Sequence, residues 1–169
     1  MRDGKCELLL AFYPHARGFA YVTFEGPSPV DWGMSDSPRG SRLPHARDRL
    51  ETLLARYKPD AIIVREISEP ADSSEAARCL AMIRDLAMLR AIPVVAISRK
   101  QIRSSFGRHG PPARNAIARA IATRIPALAH LLPPPRKIWN GEDRRMGLFD
   151  AIALVLAFTQ ADLPAISRR

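Results

Sequence analysis

Short apolar runs broken by proline and glycine open the chain, and helical stripes follow them. Leu8-Leu9-Leu10-Ala11-Phe12-Tyr13 ends at Pro14, which reads as a buried strand. After a turn over Pro14–Gly18, the run Phe19–Phe24 has the aromatic and β-branched composition of a second strand. A further turn, Gly26–Pro29, leads into Val30–Met34. Three strands joined by tight turns predict an antiparallel meander. Ser35–Ser41, with Pro38 and Gly40, is polar and reads as a loop.

The period of the pattern then changes. Pro44 can open a helix that runs to Tyr57, with Leu50, Leu53, Leu54 and Tyr57 on one stripe, and Lys58-Pro59-Asp60 stops it. Ala61-Ile62-Ile63-Val64 is continuously apolar, as expected for a sheet centre covered on both faces. Ser73 or Ser74 caps a helix reaching about Arg90, with Leu80, Ile83 and Leu86 inward. Pro93–Ile97 is a fifth strand, Arg99–Phe106 a short basic helix, and Ala113–Ile125 a helix with isoleucines at 117, 121 and 125. Pro133-Pro134-Pro135 is a stiff spacer before a last helix from Arg144 or Arg145 to Thr159. The order β-β-β-α-β-α-β-α-α-α predicts an α/β fold: a mixed five-stranded sheet, antiparallel meander plus parallel strands, with helices on both faces.

Composition adds bounds. The 169 residues are 47% hydrophobic and 25% charged, the balance of one globular domain. No apolar run approaches the ~18 to 20 residues of a membrane span, and the first residues enter a strand without a signal-peptide cleavage site. Cys6 and Cys79 make neither a disulfide framework nor a zinc pattern, so the expected setting is reduced and cytoplasmic.

The net charge of +9 changes the picture more. Between Arg99 and Arg145 lie eleven of the 26 bases (Arg99, Lys100, Arg103, Arg108, Arg114, Arg119, Arg124, Arg136, Lys137, Arg144, Arg145) but two of the 17 acids. Fifteen of each remain elsewhere, so the whole excess sits in that segment. A basic stripe confined in this way points to a nucleic-acid face. Phe106 is either a base-stacking side chain within it or a hydrophobic anchor for its own helix.

Several chemistries find no support. There is no phosphate-binding glycine motif, hence no nucleotide cofactor, no Gly-x-Ser-x-Gly elbow, and no histidine pair spaced for zinc among His15, His45, His109 and His130. Asp150 does stand out: it is the one charged residue from Met146 to Phe158, in a helix apolar all round. Such a helix is buried, and a buried carboxylate requires a cation or hydrogen-bond donors. Glu66 follows Ala61–Arg65 at the carboxyl end of a strand, where open α/β sheets bind ligands. The period of two groups Ile62, Val64 and Glu66 on one face, with Ile63 and Arg65 on the other. Asp143, seven residues before Asp150, is either a further carboxylate on the same helix face or the cap of that helix.

Four segments in order resemble the RuvC Holliday-junction resolvases of the ribonuclease-H-like superfamily. They are Phe12–Tyr21 with its Pro14 turn and Gly18-Phe19 hairpin, Asp60–Glu66, Ile92–Ile97 followed by basic Arg99–Arg103, and Met146–Leu154 around Asp150. The resemblance implies one such domain over residues 1–162 with a loose tail over 163–169, branched DNA as partner, a homodimer, and Mg²⁺ or Mn²⁺ as cofactor. It carries Glu66, Asp150 and Asp143 over as catalytic, metal-holding acids, Glu66 being preferred to Arg65 on strand parity. Tyr13 stands where the family has an Asp bridging two metals, and Gly147 stands three before Asp150, where the family usually has another acid. Replacing the bridging carboxylate by a phenol removes one negative charge from the centre of a two-metal site. Two readings follow: a crossover-junction endodeoxyribonuclease weakened by Tyr13, or a lapsed relative that binds DNA or a partner subunit.

Overall fold

A computed structural model describes residues 7–15, 17–67, 74–107, 112–135, 137, 139, 141 and 143–166. Its strands are β1 (Leu8–His15), β2 (Gly18–Glu25), β3 (Ser28–Asp36), β4 (Ala61–Arg65) and β5 (Val94–Ile97). Its α-helices are α1 (Arg42–Tyr57), α2 (Ser74–Leu89), α3 (Arg99–Phe106), α4 (Arg114–Arg124) and α5 (Arg145–Ile166). The sheet order is β3-β2-β1-β4-β5: β1, β2 and β3 are antiparallel neighbours, and β4 and β5 are added in parallel. This is the mixed α/β arrangement that the apolar pattern predicts.

Three elements run further than the pattern suggests; β3 spans Ser28–Asp36 and takes in Ser35 and Asp36, expected in the loop, because both pair with β2. β1 continues through Pro14, which pairs with Phe19. The β1–β4 register covers Leu9–Ala11, so Pro14 lies beyond it, where its missing N–H costs no ladder hydrogen bond to β4 among the described residues. The last helix passes Thr159 and reaches Ile166, since Gln160-Ala161-Asp162-Leu163 holds no residue that ends a helix before Pro164. Residues 163–166, expected in the tail, are thus part of α5, while 167–169 lie outside the described residues.

The sheet separates two cores. On one face Leu10, Phe12, Ile62 and Val64 pack with Leu50, Leu53 and Leu54 of α1 and Leu80, Ile83 and Leu86 of α2. On the other, Leu9, Ala11, Val22 and Ile63 meet α5, whose residues 146–149 and 151–157 are all buried. The helix has no polar face because the sheet covers one side and α3 and α4 cover the other.

A small device sets the register that builds the site. The Leu8 N–H donates to Asp60 Oδ2 at 2.9 Å, and the Asp60 N–H donates back to the Leu8 carbonyl at 2.7 Å. This clamp pairs Leu9 with Ala61 and Ala11 with Ile63. Counting on along both parallel strands, Tyr13 comes level with Arg65, on the α5 face.

Candidate functional site

At the carboxyl ends of β1 and β4 a cleft of about 320 Å³ opens between the sheet and helices α3, α4 and α5. Tyr13, Arg65, Arg99, Ile102, Arg103, Pro112, Arg114, Ile117, Asp150 and Ala153 line it. Each polar side chain has a structural reason to be there. β1 and β4 present Tyr13 and Arg65 through the shared register. Ser98 begins α3 with a capping box, its hydroxyl accepting from the Gln101 N–H at 3.1 Å and the Gln101 side chain accepting from the Ser98 N–H at 2.8 Å. That fixed start places Arg99 and Arg103, one turn apart, on the rim. Arg114 is the first residue of α4, and α5 contributes Asp150.

The Asp150 carboxylate has its compensating cation. Arg114 engages it as a fork, Nε donating to Oδ1 at 2.9 Å and Nη2 donating to Oδ2. Burial by itself would lower the Arg114 pKa, but the hydrogen bond and charge of Asp150 outweigh it and raise the pKa above the ordinary arginine value. Tyr13 is shifted upward as well, first by burial and then by the Asp150 charge, so its hydroxyl keeps its proton at neutral pH. Among the described lining residues the cleft therefore presents four guanidiniums, one neutral phenol and one carboxylate.

Two of the acids expected beside Asp150 are elsewhere. Glu66 lies just past the end of β4, exposed, and is not part of the cleft lining; Arg65 takes the place. Within that parity grouping, the face that carries Ile63 and Arg65 is the one α5 covers, so Arg65 and not Glu66 lines the cleft. Asp143 starts α5 instead of facing Asp150. Its Oδ1 accepts from the Arg145 N–H and Nε, each at 2.9 Å, and its Oδ2 accepts from Arg145 Nη2 at 2.6 Å. The hydrogen bond from Arg145 holds the Asp143 carboxyl below its ordinary pKa. This carboxylate borders a neighbouring groove with Arg119 and the proline run, on the other side of Arg114.

Mg²⁺ or Mn²⁺, which the resemblance implies, can be tested against these donors. Mg²⁺ requires hard oxygen ligands, carboxylates foremost. Both Asp150 oxygens already accept from Arg114, the Tyr13 oxygen is protonated, and four guanidiniums share the space. Among the described residues no group of three His, Cys, Asp or Glu side chains is placed to hold a metal ion. The donor set does not fit a divalent cation.

The basic residues divide by location. Arg99, Arg103 and Arg114 line the cleft, Lys100 is exposed beside them on α3, and Arg119 borders the adjacent groove. Arg144 approaches Asp36 at 3.9 Å, and Arg145 is held by Asp143. Arg108 and Arg136 lie outside the described residues. Phe106 packs against the α5-side core, the anchoring role of its two alternatives. One exposed aromatic was missed: Trp139 is 79% exposed, with the Lys137 ammonium 5.7 Å from its ring centroid. Its signal was an aromatic inside the basic segment.

His15 fills the space beside α5. A Cβ on Gly147 would stand 2.9 Å from the His15 ring, so a larger residue at that helix position would require the His15 side chain to shift. The Arg17 N–H donates to His15 Nδ1 at 3.3 Å, which leaves the proton on Nε2, buried and without a hydrogen bond among the described residues. Burial pulls the His15 pKa below its ordinary 6.5, against the opposing Asp36 charge. A folded-state pKa below the unfolded one means that stability is full above pH 6.5 and is lost as the pH falls below that value and through the lower folded-state pKa. Thermal melts from pH 8 to 5 are therefore expected to show this loss, and His15→Gln to flatten it. An unchanged profile in the variant would assign the loss to other groups.

No family model and no curated protein matches the chain. Solved structures do. The Thermus thermophilus RuvC structure superposes with a TM-score of 0.67 at 17% identity, over 93% of this chain and 96% of that one. The yeast mitochondrial Holliday junction resolvase Ydc2 gives 0.62 at 14%, over 95% and 82%. A fowlpox virus resolvase, in complex with its Holliday junction DNA, gives 0.58 at 15%, over 92% and 99%. With its 3-2-1-4-5 sheet, its buried last helix and its cleft at the ends of β1 and β4, the chain has the ribonuclease-H-like fold of the RuvC-type Holliday junction resolvases.

Proposed function

We propose that this protein binds branched DNA through its Arg99–Arg145 half and does not hydrolyse it: a RuvC-like protein whose nuclease chemistry has lapsed. The observation that carries the reading is the cleft, where Arg65 and Tyr13 occupy the strand ends and Arg114 neutralises Asp150. Two-metal hydrolysis needs several carboxylates to hold its cations. Arginines at the same place attract phosphate instead. Related folds that carry Holliday junction DNA, those of Thermus thermophilus and fowlpox virus, support a four-way junction as the preferred partner. A homodimer is the proposed assembly, since it would present two such faces to the arms of one junction. The cytoplasm is the proposed location, in keeping with Cys79, a buried free thiol whose pKa is pushed up to about 12 by burial and which is therefore inert.

Binding and cutting are separated by one set of assays. A labelled four-way junction, a flap and a plain duplex are titrated with protein across salt concentrations, then incubated with Mg²⁺ and with Mn²⁺. The expected result is junction binding with a log–log salt slope of about −5, as for roughly six phosphate contacts, and no nicking above an Asp150→Asn control. Nicking that disappears in Asp150→Asn would restore the nuclease reading. Salt-insensitive binding, or none, would remove the DNA-binding reading.

A further inference from the structure

We propose that Trp139, backed by Lys137, is a stacking platform for an unpaired base of single-stranded DNA, and that the adjoining groove takes the strand carrying that base. The inference rests on the DNA-binding reading and deepens it: the basic half attracts any DNA, and Trp139 selects DNA whose bases are unpaired. The chain has eleven Phe, Trp and Tyr side chains, all among the described residues, and ten of them are buried in or packed against one of the two cores. Trp139 is the exception, 79% exposed, whereas Trp32 packs on the α5-side core. Phe106, the other aromatic of the basic segment, is committed to that same core and has no face to offer.

A lone exposed apolar residue needs no function to explain it. Three observations set Trp139 apart. The Lys137 ammonium stands 5.7 Å from its ring centroid, a cation–π contact that covers one face at most and places a cation where the phosphate beside a stacked base would lie. The ring also adjoins a groove along the chain: Pro135 and Gly141, on either side of it in sequence, line a space of about 380 Å³ together with Asn115 and Arg119 of α4. That volume holds a nucleotide. Asn115 brings an amide that both donates and accepts, and Arg119 an exposed guanidinium. Asp143 borders the same groove, but its carboxylate accepts from the Arg145 N–H, Nε and Nη2 and so does not oppose a strand as a lone acid would. Finally, the segment is anchored at both ends, by the fixed φ angles of Pro133–Pro135 and by the Asp143–Arg145 contact that starts α5. A platform anchored before binding loses less freedom when a base settles on it. In a duplex each base face is covered by its neighbours and only edges are open, so an exposed indole gains little there.

The test uses the full chain, with EDTA present throughout, and has two readouts. Indole emission is followed as oligothymidylate about 12 nucleotides long, within the usual span of single-strand sites, is added. Anisotropy of the labelled oligonucleotide, and of a labelled plain duplex, gives affinity across a salt series. The variants are Trp139→Leu, which keeps an apolar side chain without a ring, the conservative Trp139→Phe, and Arg119→Gln. All three positions altered are exposed, so the melting temperature is expected to stay at the wild-type value, and circular dichroism checks each fold.

Wild-type emission is expected to fall as the single strand binds, and emission of Trp139→Leu, which retains Trp32, to stay constant. Trp139→Leu is expected to bind the single strand about tenfold more weakly and the duplex less than about twofold more weakly, while Trp139→Phe keeps most of the affinity. Its salt slope stays at the wild-type value because stacking releases no counterions, whereas Arg119→Gln lowers the slope on the single strand by about 0.7 and leaves the emission change at saturation intact. Single-strand binding with unchanged emission, or with wild-type affinity in Trp139→Leu, overturns the platform and leaves the DNA-binding reading standing. Equal losses on single strand and duplex in Trp139→Leu also overturn it, since the ring would then act through the shape of its segment. An unchanged slope in Arg119→Gln overturns the groove as the path of the strand. If neither single strand, duplex nor four-way junction binds the wild type, the DNA-binding reading itself fails, and the platform with it.

Discussion

Replacing Arg99, Lys100 and Arg103 together by glutamine is expected to lower affinity for a four-way junction by roughly 10²- to 10³-fold at 0.1 M salt, with little change in the melting temperature. The first expectation comes from counterion release, in which each phosphate contact contributes about one unit of log–log salt slope and roughly tenfold in affinity at that concentration. The second comes from exposure. All three residues are exposed on α3, whose start is fixed by the Ser98–Gln101 capping box and whose packing comes from Ile102 and Phe106, neither of which is altered. Fluorescence anisotropy across a salt series reads both affinity and slope, and the slope is expected to fall by about 3. A loss of affinity with an unchanged slope would mean that these side chains act through the shape of α3 and not through phosphates.

A second large effect is expected at a residue outside the cleft lining. In Gly18→Ala the new Cβ would stand 1.8 Å from the Ser35 carbonyl oxygen, an impossible approach, and the obstacle is backbone. Gly18 pairs with Asp36 at the end of the β2–β3 hairpin, next to the His15–Gly18 end of the β1–β2 pair, so the strands cannot separate without opening both ladders. Overpacking usually costs ~1 to 3 kcal/mol, and a clash between two backbone segments belongs at or above the top of that range. Urea denaturation is expected to show a loss of about 3 kcal/mol or more, with insoluble protein as the extreme outcome. A loss below about 1 kcal/mol would show that the hairpin end relaxes freely.

Much of the fold is legible from apolar spacing because each element buries what its period predicts. Leu50, Leu53 and Leu54 are buried together on α1, and the uniformly apolar run around Asp150 is the helix enclosed on all sides. Tyr13 and Gly147, where the resemblance leads one to expect acids, are equally plain to read. What the chain order does not reveal is which face of β4 meets α5. That choice depends on the Leu8–Asp60 clamp, a contact between residues 52 apart, and it brings Arg65, and not Glu66, into the cleft lining. Arg114 as the partner of Asp150 is hidden for the same reason, since 36 residues separate them and several other arginines were equally available. Asp143 was ambiguous because a cap and a ligand use the same carboxylate, and the helix start at Arg145 decides between them.

The enclosure of α5 also constrains how the chain is made. This helix forms the floor of one entire core, against β1, β2 and β4, yet it follows every one of those strands by at least eighty residues. As the polypeptide leaves the ribosome, the sheet can pair and gain its α1 and α2 cover early. Its second face, with Leu9, Ala11, Val22 and Ile63, has nothing to rest on until synthesis passes residue 157. Contacts of such long range form late, and the waiting surface is the kind that chaperones bind.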